Sequence, residues 1–281
     1  MKHAKNSAVK KIFLLWLPLI LFILFLLFPF YWTLVTSLKT TTEFNEAVMT
    51  YWPKQVTFDA YVNMFTNANQ NFPKNMLNSL VVAVLTMLVS LTVSTLAAYS
   101  FSRFRFKGRK ALMVVFLTNN MFPTVLLLIP LFTIMRQINL LYTPWALVLS
   151  YTTFTIPFSV WLMNGFLNDL PISMEEAAMV DGANRAQAFI KIVLPILIPC
   201  LLSTGVYIFM QSWNEYTFAV LFTNAECRTI PIALKNLIGE NGAQWDLLCA
   251  GGIITILPVC IMFFFAQKQL VGGLTAGAVK G

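Results

Sequence analysis

Glu215 is the one acid inside a long apolar stretch, within the segment MQSWNEYTF. An ionisable side chain in such surroundings is costly, so it marks a function unless a partner compensates its charge. Glu215 could bind a polar solute along a watery path, exchange a proton as in a secondary carrier, or pair with a neighbouring donor in a structural role. The first role would also involve Trp213, Asn214 and Tyr216. We favour the structural role and keep the other two as alternatives.

A second polar passage, EEAAMVDGANRAQAFIKIVLP at 175–195, separates two apolar runs. Ser173 placed as an N-cap puts Glu176 at the third helical position, which is the spacing of a capping box. Asn184 and Gln187 repeat that spacing further along the passage. The sequence therefore predicts two consecutive helix starts.

Gly182 lies between these two helix starts, and glycine suits a helix end or the close approach of another backbone. Ala177 and Ala178 are also small. We therefore predict a two-helix elbow over residues 173–195, whose first helix exposes a smooth patch to another protein. The alternative is a loop that happens to cap well.

Membrane spans are the elements that must position these residues. The chain is 58% hydrophobic and only 11% charged, which is far from the composition of a soluble domain. A spanning helix needs about 20 mostly apolar residues, and the charges leave room for six. The predicted fold class is an all-α integral membrane protein with six transmembrane helices. Their predicted ranges are 12–36, 75–102, 111–135, 145–167, 195–222 and 248–267. The first run is too long for a signal-peptide core and is interpreted as a retained signal anchor.

Charge sets the predicted orientation of these spans. Most of the 19 Lys and Arg lie in the N-terminal tail, in SRFRFKGRK after the second span, in the elbow and in the C-terminal tail. Cytoplasmic flanks collect such cations, so the N- and C-termini and the elbow are predicted to be cytoplasmic. Topology thus explains the net charge of +8 without a nucleic-acid partner. The predicted division is a tail 1–11, a transmembrane domain 12–270 with outer segments 37–74 and 223–247, and a tail 271–281.

Several chemistries lack the residues that they need. The sequence contains no G-x-x-x-x-G-K-[ST] phosphate loop, so the chain is not predicted to hydrolyse ATP. It also offers no paired carboxylates, Ser/His/Asp set or metal-binding cluster on either aqueous side, so no catalytic residue and no metal site are predicted. Cys227 and Cys249 both fall on the outer side, where a disulfide is an alternative to two free thiols.

The elbow resembles the EAA signature of ABC importer permease subunits. The matching residues are Glu176, Ala177, Ala178, Gly182, Ile192, Leu194 and Pro195, extended by Asp181, Ala183, Phe189 and Pro199. The segments AAYSFSRFRFKGR, PFSVWLMNGFLNDLP, WNEY and GLTAGAVKG are similar to those of carbohydrate-uptake permeases of the MalG type. The resemblance covers nearly the whole chain, from the first span to the tail.

This resemblance implies a permease subunit of an ATP-driven, binding-protein-dependent sugar importer in the bacterial inner membrane. Its partners would be a second, similar permease subunit, two ATP-binding subunits and an extracytoplasmic sugar-binding protein. The chain itself would bind no cofactor, because ATP and Mg would be held by the ATPase subunits. The rival class is a proton-coupled secondary carrier using Glu215, and the EAA signature argues against it.

The resemblance also implies roles for particular residues. Those expected to couple to the ATPases are Glu175, Glu176, Ala177, Ala178, Asp181, Gly182, Ala183, Ile192, Leu194 and Pro195. In the tail, Gly277 and Lys280 are expected to contact the ATPase dimer, and the loop 223–247 is expected to probe the binding protein. In MalG-type importers the partner subunit contributes most of the transmembrane sugar site, which weakens the case for Trp213, Asn214, Glu215 and Tyr216. The basic run SRFRFKGRK is expected to lie against anionic membrane lipid, with an ATPase contact as the alternative.

Overall fold

The computed structural model describes residues 12–44, 49–67, 70–239 and 242–278, with the backbone alone for residue 12 and for 268–278. Within these ranges the regular elements are helices and one two-stranded hairpin. Four helices are long and apolar enough to cross a membrane, and the number reaches six if two bent helix pairs are each taken as one span. The fold is thus mostly helical with 4 to 6 candidate spans.

The helices are numbered in chain order. They are α1 (Leu17–Ser37), α2 (Thr41–Phe44), α3 (Asp59–Thr66), α4 (Phe72–Arg103), α5 (Arg109–Asn119), α6 (Leu128–Gln137), α7 (Pro144–Asp169), α8 (Ser173–Val180), α9 (Arg185–Ala188), α10 (Leu194–Ile196), α11 (Ile198–Trp213), α12 (Thr217–Phe222), α13 (Ile230–Lys235) and α14 (Trp245–Ala278). The π-helical turns Ile12–Trp16 and Phe189–Val193 lead into α1 and α10, and the 3₁₀ turn Thr124–Leu127 leads into α6. The strands β1 (Ile238–Gly239) and β2 (Gly242–Ala243) are antiparallel.

The third predicted span is broken. Its two halves, Arg109–Asn119 and Thr124–Gln137, meet at 100°, so the prediction of one helix over 111–135 is wrong. Pro123 has an extended backbone at the break (φ −61°, ψ 114°) and has no N–H to donate to the preceding turn. Pro130 causes no break because it lies in the first turn of α6, where N–H groups have no intrahelical partner.

The fifth predicted span is also interrupted, so the prediction of one helix over 195–222 is wrong. Arg185–Ile196 and Ile198–Trp213 meet at 72°, because in a straight helix the ring of Pro199 would clash with the carbonyl four residues earlier. The helix then ends at Trp213, and α12 begins separately at Thr217.

The last helix is longer than predicted. It continues without interruption from Trp245 to Ala278, with Pro258 inside it, whereas the sequence placed its end near 267. The backbone of residues 271–278, which the sequence analysis assigned to the C-terminal tail, is therefore helical.

Among the described residues, those up to Phe72 and from Leu234 to Ile256 form one compact unit. Its segment after α1 is held by buried polar groups. Ser37 and Tyr61 share a hydrogen bond of 2.7 Å, and the Lys39 ammonium donates to the Thr50 carbonyl at 2.5 Å. The buried Glu43 carboxylate accepts hydrogen bonds from the Thr50 hydroxyl and the Lys54 backbone N–H.

The second unit comprises Pro73–Ala233 and the chain from Leu257 onward. One of its apolar cores surrounds Tyr151, Phe218 and Phe222, and another surrounds Ala98, Met163 and Leu197. A buried hydrogen bond of 2.8 Å between the Ser90 and Thr155 hydroxyls joins α4 to α7. The two candidate sites described next both lie within this unit.

Candidate functional site

The first helix of the elbow, α8, does not begin as predicted. Ser173 is its first helical residue and makes no side-chain cap, so the predicted capping box with Glu176 is wrong. The preceding Ile172 has a helical backbone (φ −63°, ψ −29°), and its carbonyl accepts the Glu176 N–H at 3.1 Å. An N-cap residue needs a non-helical backbone, so the turn that begins before Ser173 leaves it no capping role.

The end of α8 is set by Gly182, as the sequence predicted for a helix end. Gly182 has φ +90°, a conformation that costs residues with a Cβ free energy. Its N–H donates to the Met179 carbonyl at 3.1 Å, and the Ala183 N–H donates to the Ala178 carbonyl at 3.0 Å. These two bonds form a Schellman motif, in which a left-handed residue closes the helix.

The second helix of the elbow starts at the predicted capping box, which is confirmed. The Asn184 side-chain oxygen accepts the Gln187 N–H at 2.9 Å, and the Gln187 side-chain oxygen accepts the Asn184 N–H at 2.9 Å. The helix that follows runs through a π-turn into α10. The elbow is therefore a defined turn between two helices and not an irregular loop.

Glu175 forms the polar centre beneath the elbow. Its Oε1 accepts a hydrogen bond from Arg103 Nε at 2.5 Å, and its Oε2 accepts one from the Tyr99 hydroxyl at 2.7 Å. The Arg103 and Glu175 side chains are only 4% and 7% exposed. A buried ion pair is stable only when further hydrogen bonds satisfy its remaining polar atoms.

Arg103 supplies those further bonds at the end of α7. Its Nη1 donates to the Leu167 carbonyl at 2.9 Å, and its Nη2 donates to the Leu170 carbonyl at 3.2 Å. These carbonyls lie at a helix C-terminus, where a cation is electrostatically favourable. The group Tyr99, Arg103 and Glu175, which we call the buried clamp, therefore joins the end of α4, the end of α7 and the start of α8.

A cavity of about 450 Å³ lies where the third and fifth spans are interrupted. The break after α5 contributes Asn119, Asn120 and Thr124, and the gap between α11 and α12 contributes Asn214, Glu215 and Tyr216. The remaining lining residues are Phe154, Tyr207, Gln211, Thr217 and Phe218. Amides, a carboxylate and aromatic rings thus surround one space.

Glu215 has a structural role at the edge of this cavity. Its Oε2 accepts a hydrogen bond from the Tyr151 hydroxyl at 2.8 Å. Its two oxygens also accept the N–H groups of Phe218 at 2.9 Å and Ala219 at 3.2 Å. The carboxylate thereby satisfies free N–H groups at the start of α12, where a negative charge is favourable.

The comparisons with known proteins agree with this architecture. The model of the family described as "Binding-protein-dependent transport system inner membrane component" matches residues 90–275. The chain belongs to this family of transport permeases. It is accordingly a multi-pass inner-membrane permease subunit of an ABC transporter, and such subunits are not ATPases themselves.

Relatives match the permease along almost its whole length. It is 38% identical over 264 residues to the inner membrane ABC transporter permease protein YcjP of Escherichia coli, with 94% of each chain covered. It is 35% identical over 279 residues to the trehalose/maltose transport system permease protein MalG of Thermococcus litoralis, with 99% of each covered. A solved bacterial ABC transporter involved in alginate import superimposes with a TM-score of 0.77 at 24% identity, covering 90% of the permease and 93% of that chain. That structural likeness shows the fold alone.

The structure divides the predicted coupling residues of the permease into two groups. Glu175 is buried in the clamp, so it faces the membrane helices. The exposed members are Glu176, Ala177, Asp181, Gly182 and Pro195, and the half-buried members are Ala178, Ala183, Ile192 and Leu194. Val180, which the sequence interpretation did not single out, is 86% exposed between them. The permease therefore presents a surface of small, acidic and apolar side chains at the elbow.

Three of the four predicted substrate-path residues line the cavity, and Trp213 does not. Trp213 is 4% exposed and stacks on Phe209 with ring centroids 5.5 Å apart. It packs in a separate apolar cluster with Ala83. The prediction that Trp213 faces a polar path is therefore wrong, because its ring completes the core between helices.

The remaining predictions concern the tail and the cysteines. The backbone of Gly277 lies in α14, and Lys280 lies outside the described residues. Cys227 and Cys249 are both free thiols, so the alternative of a disulfide between them is wrong. The Cys227 thiol instead donates to the Tyr142 carbonyl at 3.3 Å.

Polar contacts anchor the start of the outer loop. The Asn78 amide donates to the Glu226 and Arg228 carbonyls, both at 3.0 Å. Lys74 forms an ion pair with Glu226, and the hydrogen bond from Lys74, followed by its positive charge, lowers the pKa of the Glu226 carboxyl below its usual value. The loop therefore leaves the membrane helices from a fixed point.

Proposed function

We propose that this permease forms half of the translocation pathway of an ATP-driven sugar or oligosaccharide importer. The trehalose/maltose permease of Thermococcus litoralis, which it resembles over 99% of both chains, supports the choice of substrate class. The elbow would receive the motion of the ATPases and transmit it to the spans, which would alternate between inward-facing and outward-facing states.

The buried clamp is the observation that carries this mechanism. Arg103 holds the elbow through Glu175 and holds α7 through two carbonyls. A force on α8 would therefore reach the ends of α4 and α7 together, without slack from flexible side chains. A loop that merely connects two spans would need no such buried ion pair, because burying charge is costly.

We propose the full topology on the same basis. Six spans would form the transmembrane domain 12–270, with each bent pair counted as one span. The tails 1–11 and 271–281 and the elbow 173–195 would be cytoplasmic, because the basic segments flank that side. The outer loop 223–247 would face the binding protein.

The proposed assembly contains a second permease subunit, two ATP-binding subunits and a sugar-binding protein. ATP and Mg would be held by the ATP-binding subunits, and this chain would bind neither. The exposed residues of the elbow, from Glu176 to Gly182, would enter a groove of the ATPase, and Val180 would supply an apolar anchor. The residues Gly277 and Lys280 would contact the ATPase dimer from the tail.

The test is ATP-dependent uptake by the reconstituted complex. Proteoliposomes containing all subunits and the binding protein should accumulate a sugar only when ATP is supplied on the side of the membrane that carries the ATP-binding subunits. Uptake should persist with an ionophore, whereas a proton-coupled carrier using Glu215 would lose it. Val180→Asp should abolish co-purification of the ATPase, whereas Val180→Ala should retain it in part. Uptake without ATP, or full ATPase binding by Val180→Asp, would refute the proposed coupling.

A further inference from the structure

We propose that the cavity at the two helix breaks is a binding site for neutral saccharides, which it recognises by accepting hydrogen bonds from their hydroxyl groups, and that its lining excludes acidic saccharides. This inference rests on the proposed function as a sugar importer. It adds a site in this subunit and a charge class for the substrate.

The position of the cavity supports a binding role. Irregular backbone at membrane depth is tolerated where it is buried in protein or lines a watery cavity. The 100° break between α5 and α6 and the gap between α11 and α12 both open onto this one space. Interrupted helices of this kind form the binding sites of many transporters. The volume of about 450 Å³ lies in the range of small-molecule sites.

The four amide side chains each use one N–H within the chain and leave the carbonyl oxygen available. The nitrogens of Asn119, Asn120 and Asn214 donate to the carbonyls of Thr153, Phe116 and Met210 at 3.0–3.2 Å. The Gln211 nitrogen donates to the Tyr207 hydroxyl at 3.2 Å. No donor within the described part of the chain reaches their four carbonyl oxygens. Each amide therefore keeps an acceptor for a ligand.

The charge of the lining separates saccharide classes. Glu215 is the one carboxylate among the lining residues, and none of those residues is Lys or Arg. Its partners, the Tyr151 hydroxyl and two backbone N–H groups, are neutral. A carboxylate or sulfonate on a sugar would meet the like charge of Glu215 and no Lys or Arg in this lining, so its charge would be buried without a pairing cation, which is unfavourable. A hydroxyl donates to the amide oxygens.

Aromatic rings complete the lining. Phe154, Tyr207, Tyr216 and Phe218 all border the space. Tyr207 is held by Phe158, with ring centroids 4.5 Å apart. Flat apolar rings beside a few placed polar groups are typical of small-molecule sites, and they suit the apolar C–H faces of a pyranose ring. The lining thus matches both surfaces of a neutral sugar.

The test measures sugar binding to the assembled complex in lipid nanodiscs, without the binding protein. Saturation-transfer NMR detects weak binding of two probes of equal length, neutral maltotriose and acidic trigalacturonate. Gln211→Leu removes one acceptor from the cavity at similar side-chain size. Gln137→Leu makes the same change at an exposed position at the end of α6, away from the cavity lining.

Maltotriose should give signals with the wild type and with Gln137→Leu, and it should bind about fivefold more weakly to Gln211→Leu, as expected for one lost hydrogen bond. Trigalacturonate should give none. If Gln211→Leu fails to assemble, Asn120→Leu replaces it. Equal binding of trigalacturonate, absence of maltotriose binding, or unchanged binding by the cavity variant overturns the inference. Failure of the proposed function would appear separately, as no ATP-dependent uptake of any sugar when the binding protein is present.

Discussion

Two carboxylates in the permease are compensated in opposite ways. Glu175, at the elbow, is buried against the full charge of Arg103 and the hydroxyl of Tyr99. Glu215, at the second helix break, is half-buried and is surrounded by neutral donors, namely the Tyr151 hydroxyl and two backbone N–H groups. The first carboxylate ties three helices together, whereas the second starts one short helix and borders a cavity.

The difference fits the two proposed roles, force transmission at the clamp and solute recognition at the cavity. Removing one partner of a buried ion pair strongly lowers the stability of the protein, because the other charge is left without compensation. When one neutral hydrogen-bond donor to a carboxylate is removed, less stability is lost. Such a carboxylate also keeps its charge available to the adjoining space. We therefore expect substitutions at the clamp to affect assembly first and substitutions around Glu215 to affect transport as well.

The largest effect should come from Arg103→Ala. It leaves Glu175 buried without a cation, and removal of one partner of a buried pair costs about 3–5 kcal/mol. Thermal unfolding and co-purification of the ATPase measure the loss. Arg105→Ala removes an exposed cation of the same run and should behave like the wild type.

A double variant sharpens this result. Arg103→Met with Glu175→Met replaces the pair with apolar side chains and should recover much of the stability. If the clamp also transmits motion, uptake should remain impaired in the stable double variant. Full stability of Arg103→Ala would show that the pair contributes nothing.

A smaller effect is expected from Glu215→Gln. The amide keeps the shape but replaces charge-assisted hydrogen bonds, which contribute about 1.5–3 kcal/mol, with neutral ones. Stability should fall by less than for Arg103→Ala, and uptake should fall in complexes that assemble. Tyr151→Phe removes one hydrogen-bond donor and leaves the carboxylate, so comparing the two variants separates the effect of the lost hydrogen bond from that of the lost charge. A loss of stability as large as that of Arg103→Ala would remove the distinction between the two carboxylates.

Gly182 tests whether the elbow depends on backbone conformation or on close approach of a partner. Its φ of +90° is unfavourable for Leu, yet no atom of this chain lies within 4 Å of the place of a Cβ. Gly182→Leu should therefore cost about 1–2 kcal/mol through the backbone alone. Asn tolerates this conformation better than other side chains, so Gly182→Asn is the matched variant. If Gly182→Asn still co-purifies with the ATPase and Gly182→Leu does not, the elbow requires the backbone conformation or excludes a bulky side chain. If both variants lose the ATPase, only glycine lets the partner approach.

The smallest effect concerns the exposed pair of Lys74 and Glu226. Lys74 lowers the pKa of the Glu226 carboxyl, so the stabilisation is present above the usual carboxyl pKa and disappears as the pH falls through the lowered value. Hydrogen exchange of the outer loop in the wild type and in Glu226→Gln should differ slightly at neutral pH. The two should converge as the pH falls through the lowered pKa of the Glu226 carboxyl. A difference that grows on acidification would contradict this assignment.

Local rules explain much of what the sequence predicted correctly. The capping box of Asn184 and Gln187 and the helix end at Gly182 depend on neighbours within a few residues, and both are present. The same local rule failed at Ser173, because the helical backbone of Ile172 had already started the turn. A capping pattern therefore identifies the region of a helix start better than its first residue.

The contacts that join distant segments could not be inferred from these patterns. Arg103 and Glu175 are 72 residues apart in sequence, and the basic run around Arg103 was assigned to topology and membrane lipid, with an ATPase contact as the alternative. The third and fifth spans were each predicted as one helix, since hydropathy averages over a span and does not report direction. Pro123 and Pro199 were visible, but Pro157 lies inside the unbroken α7, so proline by itself does not locate a break.

The broken third span has a consequence for the surrounding lipid. At 1.5 Å per residue, the 11 residues of α5 extend roughly 16 Å, about half of a hydrocarbon layer of about 30 Å. Met121 and Ile129 near the break are 84% and 75% exposed. Acyl chains cannot satisfy the non-helical backbone there. Because α5 is short, a thick bilayer would also penalise the lone chain through hydrophobic mismatch. A thick membrane would therefore favour association with the proposed second permease subunit, which would cover the break between α5 and α6.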